Sequence, residues 1–272
     1  MLKGICLGSL AGATPREKLE LARAAGFHAV ELGSLNERGL VTPEMTDQQV
    51  RDLTPLFADT VPAHGMFAGD AWSVPLTVND PAVRQRGLDL MYRSIEVGVI
   101  LGMSSLLIVP GIVNEDVPYD LAYERAQEAL RKLAERNKGS GLLLGIENVG
   151  NKLLLSPLET ARFIDEIGDP SFGAYFDVGN ILAYGFPDQW IRILGHRVKR
   201  IHVKDRRSGP AGAGVPLLAG DVPWDRVMAE LKAIGYDSFL TAEISPFKQH
   251  AAEGAYQISR SLDAIIGATG AR

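Results

Sequence analysis

A single cysteine, Cys6, among 272 residues excludes an internal disulfide framework and fits a reducing compartment. Positive charge is also scarce. Lys and Arg number 28 against 33 Asp and Glu, a net charge of −5, where a phosphate-backbone binder carries a basic footprint. No apolar run reaches the roughly 18 residues that a membrane span needs. The opening MLKGICLGSLAGATP has one lysine and passes straight into a helical pattern, without a cleavage site and spacer. A cytoplasmic protein with no membrane and no nucleic-acid partner is therefore expected. The first turn, GSLAGATP, lacks GxGxxG, which removes the main support for a dinucleotide-binding open sheet. Low-complexity stretches and linkers are absent, so residues 1–272 are expected to form one domain.

What is present is an alternation. Eight short apolar runs bounded by Gly, Pro, Asn or Asp predict strands at residues 2–7, 27–32, 61–67, 105–109, 142–146, 172–176, 198–203 and 238–242. Helical patterns lie between them, several opened by a cap and proline: Thr14–Pro15, Asp80–Pro81 and Ser156–Pro157. Residues 46–59 also read as one helix. Strand and helix alternating eight times imply parallel pairing through right-handed crossovers, and eight units close into a single α/β (β/α)8 TIM-type barrel. Residues 206–221, rich in glycine and proline, are expected to be a mobile loop.

Four consecutive strands end on chemistry-bearing residues: Glu147, Asp177, His202 and Glu243. A parallel barrel gathers its C-terminal strand ends at one mouth, where catalysis sits. Taken singly, each residue has an ordinary explanation, a helix cap or turn for the acids and a hydrogen-bonded core position for the histidine. Together they place three carboxylates and one imidazole at equivalent positions, and a divalent cation resolves the repulsion. Oxygen ligands with one nitrogen suit Mn²⁺ first, with Mg²⁺, Co²⁺ or Zn²⁺ as alternatives.

The motifs GIEN (145–148), FDVGN (176–180), IHVKD (201–205), GDVPW (220–224) and TAEISPF (241–247) carry a resemblance along nearly the whole chain. In that order they resemble the xylose-isomerase-like TIM barrels, the sugar and sugar-phosphate isomerases and epimerases that include ketose 3-epimerases. The resemblance implies that Glu147, Asp177, His202 and Glu243 bind the metal and that both glutamates also move protons. It implies a small carbohydrate substrate and a homodimer or tetramer. One glutamate would take the proton next to the ketone and the other return it on the opposite face.

The chain departs from that pattern at Asn180, where the ketose 3-epimerases carry a histidine. Asn180 can bond a hydroxyl but cannot carry a proton at neutral pH, so the substrate is expected to differ. Arg206 or Arg207 stands where those enzymes place an arginine. Lys204 is expected either to bind substrate or to pair with Asp205. His64, read as ending the third strand, completes the candidate substrate contacts, and Glu31 is a candidate supporting group. Two other activities fit parts of the pattern. A lyase acting on a 3-keto sugar shares the proton abstraction. A metal-dependent endonuclease needs several strand-end histidines, and this chain has five histidines in all, with His28, His196 and His250 off the strand ends.

Overall fold

The structure, a computed structural model, describes residues 1–36, 39–209 and 212–267. Its strands are β1 (Leu2–Cys6), β2 (Ala29–Leu32), β3 (Ala63–Phe67), β4 (Ser105–Ile108), β5 (Leu143–Glu147), β6 (Phe172–Asp177), β7 (Val198–Val203), β8 (Asp205–Arg206), β9 (Gly214–Val215) and β10 (Phe239–Ala242). Hydrogen bonding runs β1-β10-β7-β6-β5-β4-β3-β2 and closes, a parallel (β/α)8 barrel, while β8 and β9 form a separate antiparallel pair. All eight expected barrel strands are found, with ends moved by a residue or two. The additional pair falls in the stretch expected to be a loop, of which residues 210 and 211 lie outside the described residues.

The helices are α1 (Pro15–Ala24), α2 (Asp47–Arg51), α3 (Thr54–Ala58), α4 (Pro81–Ile100), α5 (Tyr119–Asn137), α6 (Pro157–Ile167), α7 (Pro187–Leu194), α8 (Trp224–Ala233) and α9 (Ala251–Gly267). Three of them, α1, α4 and α6, start with the expected capping chemistry. Thr14 accepts from Glu17 N while Glu17 bonds back to the Thr14 amide, and Asp80 and Ser156 cap α4 and α6 ahead of proline at the first position. The helix expected over residues 46–59 is instead two helices broken at residues 52 and 53, because Pro55 has no N–H to donate to the carbonyl of Arg51. Among the described residues no helix is long and apolar enough to cross a membrane.

Two compact units are distinguished within the chain. The first comprises Met1–Glu31, Pro55–Pro62 and Phe176–Arg272. There β1 pairs with β2 and β10, and β10 with β7, in a register that sets Cys6 beside Glu31 and Thr241 beside His202. The second comprises Leu32–Thr54 and Ala63–Tyr175. In it β4 pairs with β3 and β5, and β5 with β6, with Glu147 opposite Tyr175. Gly145 of the GIEN motif is explained here: a Cβ would fall 2.8 Å from the Tyr175 Cβ, in a fully buried position that cannot yield.

Candidate active site

In the first unit the strand ends carry a linked set of side chains. His202, the penultimate residue of β7, and Glu31, in β2, are both wholly buried, with His202 Nε2 2.6 Å from Glu31 Oε2. An ionised carboxylate only accepts, so the Nε2–H donates, and in the neutral ring Nδ1 then carries the lone pair. That nitrogen lies 3.7 Å from Glu243 Oε2. Cys6 also reaches Glu31 Oε2, at 3.4 Å, and its Sγ lies 3.9 Å from His202 Nε2. Burial, reinforced by the neighbouring Glu31 charge, pushes the Cys6 thiol well above its ordinary range, so it is a neutral, inert thiol.

Asp177 ends β6 and is fully buried; Glu243 follows β10, its amide donating to the Val203 carbonyl at 3.1 Å. Lys204 binds both acids. Its Nζ is 2.9 Å from Asp177 Oδ2 and also donates to Glu243 Oε2. Asp177 Oδ1 accepts from the Asn180 amide at 2.7 Å, so the turn-forming role open to this residue is real and coexists with its place in the cluster. Asn180, half-buried, begins the short 3-10 turn Asn180–Ala183.

Asp205 does not pair with Lys204. Consecutive residues of an extended chain point to opposite sides, which separates them. The buried Asp205 carboxylate instead accepts from the amides of Arg206, Leu218, Gly220 and Val222 and from Trp224 Nε1, all between 2.9 and 3.3 Å. A Cβ on Gly220 would lie 1.9 Å from Asp205 Oδ1, so the GDVPW glycine admits this carboxylate. Arg206 is committed to the same segment: its Nη2 donates to the Gly212 carbonyl at 2.6 Å. Arg207 pairs with Asp221 at 3.0 Å.

In the second unit Glu147 closes β5 and is buried, followed by the buried Asn148. The loop beyond them is pinned by Asn151, whose Nδ2 donates to the Gly111 carbonyl at 2.8 Å and whose carbonyl accepts from Val113 N at 3.0 Å. His64 is corrected. It is the second residue of β3, three short of Phe67, and so does not end the strand. Pro62 lacks an N–H for the ladder, and the strand starts after it.

The donor chemistry of the first unit suits a divalent ion. Asp177, His202 and Glu243 each present a ligand atom, all within 4.8 Å of one another. The imidazole has its far nitrogen held by a carboxylate, the support that metal-ligating histidines generally have. A cation, the Lys204 ammonium, already rests against the two acids. Cys6, Glu31 and His202 form a second close set. Their mutual hydrogen bonds and the neutral thiol make them a supporting cluster for the histidine. The sequence marks Glu31 only as a candidate supporting group, because its partner His202 lies 171 residues away in the chain.

Comparison with known proteins agrees with this architecture. Residues 19–264 match the model of the xylose isomerase-like TIM barrel family. L-ribulose-5-phosphate 3-epimerase UlaE of Escherichia coli is 26% identical over 227 residues, 81% of this chain and 78% of that protein. Among solved structures, an L-ribulose 3-epimerase superposes with a TM-score of 0.81 at 18% identity, covering 100% of this chain and 98% of that one. The IolI protein, determined with a bound zinc atom, gives 0.83 at 17% identity, with 98% of each chain covered.

Proposed function

Because the chain belongs to the xylose isomerase-like TIM barrel family, we propose that it is a divalent-metal-dependent sugar epimerase, inverting C3 of a ketose or ketose phosphate by proton transfer. The observation that carries this reading is the convergence of Asp177, His202 and Glu243, with Glu31 holding the Nε2 side of the imidazole so that Nδ1 faces the Glu243 carboxylate. Glu147, which ends the strand adjoining β6, is the fourth ligand in this proposal. Bound there, a divalent ion supplies Lewis-acid stabilisation of the negative charge that develops beside the substrate carbonyl. Mn²⁺ is the first choice for three carboxylates and one imidazole.

The chain's own residues do the rest. One of Glu147 and Glu243 takes the C3 proton; the other, as a carboxylic acid, delivers a proton to the opposite face, and both return to their starting states through the reverse turnover or solvent. Asn180 and Lys204 are proposed to bond substrate oxygens. Arg206 acts one step removed, by holding the segment that follows Lys204. UlaE is named for a phosphorylated pentulose and the superposed epimerase for a free one, so both classes belong in the assay.

The test is deuterium uptake from D₂O into L-ribulose, L-ribulose 5-phosphate and the corresponding hexuloses, with Mn²⁺, with EDTA and with Glu243→Gln. Metal-dependent label at C3 together with the epimeric ketose is the expected result. Label at C1 with an aldose product would replace epimerisation by isomerisation, and no exchange on any ketose would remove the proton-transfer reading.

A further inference from the structure

We propose that Lys204 is a built-in competitor for the divalent ion: its ammonium holds Asp177 and Glu243 together in the metal-free protein and leaves both when the ion binds. The inference rests on the reading above, since it takes the two acids as ligands.

The contacts are with the ligand atoms themselves. Lys204 Nζ lies 2.9 Å from Asp177 Oδ2 and donates to Glu243 Oε2, the same oxygen that stands 3.7 Å from His202 Nδ1. An ammonium and a divalent ion drawing on the same oxygens repel each other, so each weakens the other's hold. In this proposal they are competing occupants.

The placement of the lysine is built into the fold. A Cβ on Gly179 would fall 2.4 Å from Lys204 Cγ and 2.9 Å from its carbonyl oxygen, so the glycine of FDVGN clears the path of the lysine stem. On the other side Asp205 fastens the chain through its acceptor bonds to the segment that follows. The Lys204 side chain is 24% exposed, which gives the ammonium a route to water. A flexible four-carbon stem with a compact charge can make that move, whereas the planar fork of an arginine would stay engaged. Loading the ion thus frees a positive donor beside the ligand set, and the ion binds before an anionic or oxygen-rich substrate meets that donor.

Calorimetric titration with Mn²⁺ and thermal denaturation with and without Mn²⁺ test this on the full chain, comparing wild type with Lys204→Met, Lys204→Gln and the exposed control Lys248→Met. Removing the competitor is expected to tighten Mn²⁺ binding roughly tenfold, the ratio that one charge-assisted hydrogen bond supports. The metal-free variants should melt lower than wild type and gain more on adding Mn²⁺. Lys204→Gln carries the test if Lys204→Met does not fold. Equal or weaker Mn²⁺ affinity in the Lys204 variants overturns the proposal, as does an equal gain from Lys248→Met, which would make the effect one of net charge. Absence of Mn²⁺ binding in wild type and variants alike is a different failure: it removes the metal reading, and the competitor with it.

Discussion

His202 Nε2 and Glu31 Oε2 are 2.6 Å apart, and neither side chain has any exposure to solvent. The pair joins β7 to β2, with the Cys6 thiol of β1 closing the group at 3.4 Å from the same carboxylate oxygen. A buried carboxylate is costly unless it is bonded, and here its partner is the ring whose other nitrogen faces Glu243. Glu31 thus decides which imidazole nitrogen is available.

Replacing Glu31 should therefore weaken metal binding without touching a proposed ligand. Glu31→Ala is expected to lower Mn²⁺ affinity by roughly 10- to 100-fold, the usual effect of removing a group that orients a ligating histidine. Glu31→Gln keeps an oxygen acceptor and should lose less. Calorimetry on both variants gives the comparison. Wild-type affinity in Glu31→Ala would show that the imidazole is oriented by something else.

Asp205 should behave as a stability residue. Its carboxylate accepts from four backbone amides and the Trp224 indole, and Asp205→Ala leaves those donors without it. A loss of about 3 kcal/mol or more is expected, since bonds to charged groups are each worth about 1.5–3 kcal/mol. Gly220→Ala should reproduce part of that loss by pushing the carboxylate aside. Urea denaturation measures both, and limited proteolysis should cut first between residues 206 and 221. Stability unchanged in Asp205→Ala would mean the segment is held independently of that carboxylate.

The barrel was legible because its signals are local: apolar runs, glycine and proline at their ends, and threonine, aspartate or serine caps before proline. The residues proposed as ligands could be named because strand ends are readable once strands are. Other features depend on contacts far apart in sequence. Lys204 and Asp205 are neighbours in an acid–base pair by spacing alone, yet backbone alternation sends one to Asp177 and Glu243 and the other to residues 206–224. His64 was misplaced by the run VPAHGMF, whose first two residues precede the strand. Glu31 could be recognised as a strand-end acid, but nothing near it in sequence identifies His202.

Alkaline stability should depend on Tyr119. Its hydroxyl donates to Glu159 Oε2 at 2.6 Å and accepts from Leu154 N at 3.0 Å, tying α5 to the loop after β5. Burial, followed by the Glu159 carboxylate, pushes the phenol up from 10.0 to about 12. The folded state thus holds this proton more tightly than the unfolded chain does. The stabilisation is complete below pH 10 and is lost as pH rises from there through about 12. Between pH 8 and pH 11.5, Tyr119→Phe should lose less stability in urea than wild type does. An identical loss in both would assign the alkaline transition to other groups.

The two proposed proton carriers are separable by isotope exchange. In a two-base inversion each carboxylate faces one side of C3, so each epimer is deprotonated by a different glutamate. Glu147→Gln and Glu243→Gln should each abolish epimer formation, because one of the two transfers is lost. Each should nevertheless retain solvent exchange at C3 with one epimer, the one whose proton faces the surviving carboxylate, and the two variants should retain it with opposite epimers. Both residues are also proposed ligands, so the residual exchange should be slower than in wild type and should be followed at saturating Mn²⁺, with binding checked separately. Mass spectrometry of recovered ketose reads the label. Loss of exchange with both epimers in one variant and retention with both in the other would point to a single carboxylate serving both faces, and inversion would then require the sugar to turn within the site.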